Sequence, residues 1–208
     1  MSMKKQDAPS NEFMLSYFPI TYQRSFFERE ASEKVFNAFL TLASAIIGGT
    51  LVLTSNQSTT LDKYSVILIA LFIIFTLGFV TYERICSKSI ASIRWMMRAN
   101  FALKYFTEFD NELEKFVKPH RINELSETWW QSFVLKGGGL ARIAATINTI
   151  PALGAAFILS KYFFLFDIDS SVITVLFVGL FTWFLHVQIW RKKIQKLQTI
   201  VSPTLKKS

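Results

Sequence analysis

Val35–Thr54 reads VFNAFLTLASAIIGGTLVLT and Tyr64–Tyr82 reads YSVILIALFIIFTLGFVTY, and neither stretch holds a charged residue. A bilayer's hydrocarbon core is about 30 Å thick, and a helix rises about 1.5 Å per residue, so roughly 20 apolar residues cross it. Amphipathic helices of soluble proteins place a charge every turn or two on their wet face. Each stretch is therefore predicted to be a transmembrane helix. The nine residues Ser55–Lys63 between them are polar and too few to recross the membrane, so the two spans form an antiparallel pair.

The pattern recurs further along. Ala141–Phe166 carries no charge apart from Arg142 at its start and Lys161 near its end, and Pro151 within it predicts a kink. Asp167 and Asp169 mark a turn, Ser170–Trp190 is a fourth span, and Arg191, Lys192 and Lys193 close it. The expected fold is an all-α integral membrane protein of four transmembrane helices, arranged as two antiparallel hairpins joined by a cytoplasmic helical segment. Its parts are an N-terminal segment 1–34, a first hairpin 35–82, a polar module 83–139, a second hairpin 140–190 and a basic tail 191–208. The first span begins too far into the chain, after Pro9, Pro19 and several acids, for a cleavable signal peptide, and is expected to serve as the insertion signal.

Charge gives the orientation. Of 23 Lys and Arg in the 208 residues, only Lys63 and Lys161 lie at the two short turns; the other 21 lie in the N-terminal segment, the middle stretch and the tail. The positive-inside rule predicts that those three parts are cytoplasmic, in the inner (plasma) membrane of a cell. The net charge of +8 is then a consequence of topology, and no direct DNA binding is expected.

The polar parts also carry pattern. The N-terminal segment clusters Phe13, Tyr17, Phe18, Tyr22, Phe26 and Phe27 and is expected to pack against something after Pro19, with its first ten residues loose. From Glu83 to about Phe109, Ile85, Ile90, Ile93, Met97, Phe101 and Phe106 recur close to a helical stripe, predicting that the second span continues as a helix. A second amphipathic helix is expected at Ile122–Leu135, with Trp129 and Trp130 suited to a headgroup region, before Gly137-Gly138-Gly139 breaks it.

Catalytic patterns are missing from the sequence. His120 and His186 are far apart, the single Cys86 excludes an intrachain disulfide, and neither a metal-ligand spacing nor a phosphate-binding glycine loop is present. The chain is expected not to be an enzyme and to need no cofactor. Polar residues inside spans are the sharper signal, because lipid penalises them. In the first span Asn37, Thr41, Ser44 and Gly48 share a helix face, with Ala45 and Gly49 beside it; small residues four apart let helices approach closely. In the third span Ala141, Ala145, Asn148, Ala152 and Ala155 form a similar face, with Thr149 alongside. Spans two and four are greasier and are expected to face lipid. Two readings fit: spans one and three line a path or an oligomer axis, or they form a tight four-helix core around two satisfied asparagines. Beyond the second span, Arg84 and Lys88, then Arg94 and Arg98, sit one turn apart. They suit lipid headgroups or an anionic ligand; were a nucleotide signal sensed, Arg94, Trp95 and Arg98 would be the contacts, with Trp95 stacking a base. The acidic run Glu108–Glu114 suits a basic partner protein or these arginines.

The stretch Tyr82–Phe116, YERICSKSIASIRWMMRANFALKYFTEFDNELEKF, set between two hairpins, resembles the layout of small bacterial anti-phage defence effectors, of the type found as the four-span membrane component of Hailong or Kiwa systems. That resemblance implies a homo-oligomer that forms a channel or disrupts the membrane, regulated through its cytoplasmic helices. The alternative is a non-conducting anchor or sensor that recruits a cytoplasmic partner protein.

Overall fold

The computed structural model describes residues 9–55, 62–109 and 139–205, and every described element is helical. Helix α1 spans Pro9–Ser55 and α2 spans Lys63–Phe109, 47 residues each. Helix α3 spans Gly139–Ile158 and runs into a π-turn, Leu159–Phe163; α4 spans Ile168–Leu205. All four are long and apolar enough to cross a membrane. At about 1.5 Å per residue, α1 and α2 are each about 70 Å long, more than twice a hydrocarbon core.

Their length has a local cause. Between Lys63 and Phe109 the only glycine is Gly78 and there is no proline, so nothing stops α2 at the end of its apolar block. The stripe expected beyond it exists: Ile85, Ile90 and Met97 are buried, with Ile93, Phe101 and Phe106 half-buried. Helix α1 likewise starts at Pro9 and passes through an exposed Pro19, so the first segment and the first span are one helix. Near that missing N–H the Thr21 hydroxyl donates to the carbonyls of Phe18 (2.8 Å) and Tyr17 (3.1 Å). Pro151 also sits inside its helix, and the irregular backbone comes later, at the π-turn.

Helix α2 runs back along α1. Glu28 of α1 takes an ion pair from Lys88 at 2.8 Å, Ser25 bonds Ser92 (Oγ to Oγ 3.0 Å, Ser92 Oγ donating to Ser25 O at 2.9 Å), and Phe39 reaches Gly78. Helix α2 also packs on α3 and α4, whereas α1 lies at the edge with almost all its contacts to α2. The core sits where α2, α3 and α4 meet: Tyr82, Ile85 and Cys86 against Ala141, Ala144 and Ala145, closed by Val187, Trp190 and Ile194. The alanines bring α3 close to its neighbours. Ile69, Phe72, Val172, Phe177 and Leu180 point outward, a surface matched to hydrocarbon rather than water.

The helix ends that carry most of the charge will be called the basic end, and the opposite one the turn end. At the turn end Tyr64 and Tyr162 stack with centroids 3.8 Å apart. Helix α2 is capped by Asp62, whose carboxylate accepts from the Ser65 N–H and Oγ, both at 2.9 Å. After the π-turn, Leu165 takes a left-handed φ of 56°, a conformation that costs an L-residue about 1–2 kcal/mol.

Candidate functional site

The two polar span faces are placed differently. On α1, Asn37, Thr41, Ser44 and Gly48 are all exposed, on the side turned away from α2. Thr41 Oγ1 donates to Asn37 O at 3.1 Å, and a Cβ at Gly48 or Gly49 would meet nothing within 4 Å. The other span glycines are used inside the chain: a Cβ at Gly154 would lie 3.2 Å from Leu71, and one at Gly179 2.6 Å from Leu153. What α1 buries against α2 in the span is Phe36 and Phe39.

On α3 the corresponding face points inward. Asn148 is fully buried, Thr149 is half-buried with its hydroxyl on Ala145 O (2.8 Å), and Ala141, Ala145 and Ala152 are buried with them. Ala155 is half-buried. The structure therefore does not bring Asn37 and Asn148 together. The partner of Asn148 is His186 of α4, 3.1 Å from amide to Nε2, and both are 0 % exposed. Facing the amide on α2 is Gly78, where a Cβ would overlap the Asn148 carboxamide.

Hydrogen-bond balance makes this cluster informative. His186 Nδ1 lies 2.7 Å from the Thr182 carbonyl, an acceptor only, so Nδ1 carries a proton. With a neutral ring, Nε2 is an acceptor and the Asn148 NH₂ donates to it. Turned over, the amide would accept from Nε2 and from Phe79 N–H and donate to Phe75 O, each at 3.1 Å, which requires both ring nitrogens protonated. Amide orientation and ring charge are thus linked. The ring is framed by aromatics: Phe79 and Tyr82 meet it edge-on at 5.6 and 4.5 Å, and Tyr82 OH donates to His186 O at 2.6 Å.

The basic residues on α2 divide as well. Arg84 and Arg94 are exposed, Lys88 is engaged by Glu28, and the Arg98 guanidinium sits 4.6 Å over the Trp95 ring. One face of Trp95 is therefore taken by Arg98. Lys193 of α4 reaches Ser87 Oγ (2.6 Å) and Glu83 (3.3 Å) on α2. Gly78, Tyr82, Glu28 and Lys193 escaped the sequence reading. The only signal for Gly78 was a lone glycine in a greasy span, and the others needed knowledge of which helices touch. Among the described residues no three His, Cys, Asp or Glu side chains gather to hold a metal. The acidic run 108–114, the expected helix 122–135 with Trp129 and Trp130, and His120 lie outside the described side chains.

Comparison with protein families, with curated proteins and with solved structures finds no match to the chain. Its function must be argued from its own residues.

Proposed function

We propose that this is a multi-pass protein of the inner (plasma) membrane, with hairpins α1–α2 and α3–α4 crossing the bilayer, the basic end in the cytoplasm, and its work done as a homo-oligomeric, channel-forming effector. The observation that carries the reading is the exposed stripe Asn37, Thr41, Ser44 and Gly48 on a helix long enough to span. Polar groups facing hydrocarbon are penalised, so such a stripe faces protein or water. One four-helix chain has no room for a conduit, and several copies around an axis would give the stripe a polar lumen. Asn148, held by His186, belongs on this reading to the chain's own core.

Beyond the span, α1 and α2 continue together as a two-helix stalk, the part through which the assembly is regulated. The resemblance in layout to anti-phage defence effectors supports the same class of action. Purified protein in a planar bilayer is expected to give discrete conductance steps, and Asn37→Leu with Thr41→Leu is expected to reduce unitary conductance at least severalfold. A stable oligomer that stays silent with and without cell extract would remove the channel.

The exposed Arg84 and Arg94 favour a second reading, a non-conducting anchor whose stalk recruits a cytoplasmic partner or senses an anionic signal. An anchor would capture that partner from extract and lose it in Arg94→Glu/Arg98→Glu. Capture by a silent oligomer decides for this reading.

A further inference from the structure

Helix α1 is built inside out at both of its levels. In the stalk, the positions pressed against α2 are small or polar: Thr21 is 0 % exposed, Ser25 3 % and Ser32 2 %. The positions facing away include large apolar side chains, Phe13 at 59 % exposed, Ile20 at 55 % and Phe27 at 56 %, alternating with Ser16, Gln23 and Glu30. In the span the arrangement reverses, with Phe36 and Phe39 against α2 and Asn37, Thr41, Ser44 and Gly48 facing out. A free stalk in water would turn its apolar side inward, and a free span in lipid would turn its polar side inward. Helix α1 does the opposite in both media. One cause explains both violations: the outward face of α1 is covered by protein along its whole length.

That face is continuous. Phe13, Ile20, Phe27, Lys34, Thr41 and Gly48 follow one another at steps of seven, and all are exposed. A seven-residue step returns to within about 20° on an α-helix, which is the spacing of a helix–helix seam that supercoils left-handedly. Ser16, Gln23, Glu30, Asn37, Ser44 and Leu51 fill the intervening positions of the seam and are exposed too. From Phe13 to Leu51 the seam is about 57 Å long at 1.5 Å per residue.

We infer that the occupant of this face is α1 of a second copy of the chain, lying parallel to it. The inference rests on the oligomeric reading above and names its interface. A partner must switch from apolar to small and polar at the depth where this face does, between Phe27 and Asn37. A second copy has that switch by construction, and the membrane holds all copies in one orientation. At the switch, Glu30 and Lys34 lie on the seam four residues apart, with their own contact loose at 3.8 Å and both exposed. In a parallel pair identical positions face each other, and the like charges this brings together are offset only where Glu30 of one copy reaches Lys34 of the other, one turn along the seam. The small residues of the span, Gly48 above all, let the backbones close in, while Phe13, Ile20 and Phe27 supply apolar area in the stalk.

The test is cysteine cross-linking in native membranes, in a Cys86→Ala background that removes the only native thiol. Single cysteines go at two depths on the seam, Phe27→Cys and Gly48→Cys, and at two controls, Ser32→Cys against α2 and Leu180→Cys on the exposed side of α4. Both seam positions are expected to give at least tenfold more covalent dimer than either control. Adding Ile20→Asp and Phe13→Asp to Gly48→Cys is expected to cut its dimer severalfold, though the charges are about 40 and 50 Å away along the helix. Equal cross-linking at all four sites, or at Leu180→Cys alone with the oligomer intact by native mass, overturns the interface and leaves the oligomer. A monomer by native mass, with Phe27→Cys in contact with a lipid-soluble quencher, overturns both. Seam cross-links in a protein that never conducts uphold the interface and remove only the channel.

Discussion

At Gly78 the structure leaves no room for a side chain, because the Asn148 carboxamide occupies the space a Cβ would take. Gly78→Ala must push that amide off His186 or force α2 away from α3. Overpacking of this kind costs about 1–3 kcal/mol. The same substitution at Gly48, inside α1 and with nothing within 4 Å, is expected to leave the unfolding of the detergent-solubilised monomer unchanged or slightly raised. Thermal unfolding of the two variants side by side checks this, and an equal loss in both would contradict the placement. A polar residue in the third span was visible in the sequence, but its partner was not. Asn148 and His186 are 38 positions apart, and only the meeting of α3 and α4 makes them a pair. In the sequence His186 stands out only as one of two histidines far apart, which says nothing of its hydrogen bond to Asn148. The stripe from Asn37 to Gly48 was legible as a face. Which way the face points was not, because periodicity fixes which residues share a side and says nothing of what that side meets.

Among the elements, α2 and α4 begin with the same device. Asp62 is followed three residues on by Ser65, and Asp167 by Ser170; each carboxyl is held below its ordinary value of 3.8, chiefly by hydrogen bonds from that serine. A carboxylate also faces the positive end of the helix dipole there. A folded-state value depressed in this way stabilises above the unfolded value and stops doing so as pH falls through the folded one. Asp62→Ala is therefore expected to lower the unfolding temperature by a few degrees near neutral pH, and the gap to wild type is expected to narrow as pH falls below the ordinary value of 3.8 and to close once it has passed the depressed folded-state value. A gap that persists in acid would assign the loss to something other than the charged cap. Element boundaries were legible where such signals exist. The continuation of α2 to Phe109 was read from its apolar stripe, while α1 was divided at Lys34 because charge and hydropathy change there. The backbone ignores that change, since Glu28–Val35 contains only residues that tolerate a helix and the Glu28–Lys88 pair ties it to α2.

Across the molecule, charge and helix ends coincide. Glu28–Lys88 and Glu83–Lys193 both sit on the basic side of the core, and the turn end is closed by Asp caps and a Tyr64–Tyr162 stack. Moving arginines and lysines across a bilayer is costly, so the segments that hold them stay where the chain is made. The proposed orientation follows, with Leu165, 81 % exposed at the turn end, outside and Lys192 inside. In a Cys86→Ala background, Leu165→Cys is expected to react with a membrane-impermeant maleimide in intact spheroplasts, and Lys192→Cys only after permeabilisation. The reverse pattern would place the stalk outside, and the argument for α1 would then need an external partner. The expected pattern gives the stalk its setting: both helices project tens of ångströms beyond the span into the compartment where a trigger is made. If the proposed seam forms, rotation or separation at the stalk would carry through to the span, because α1 has no break between Phe27 and Asn37 at which to decouple them.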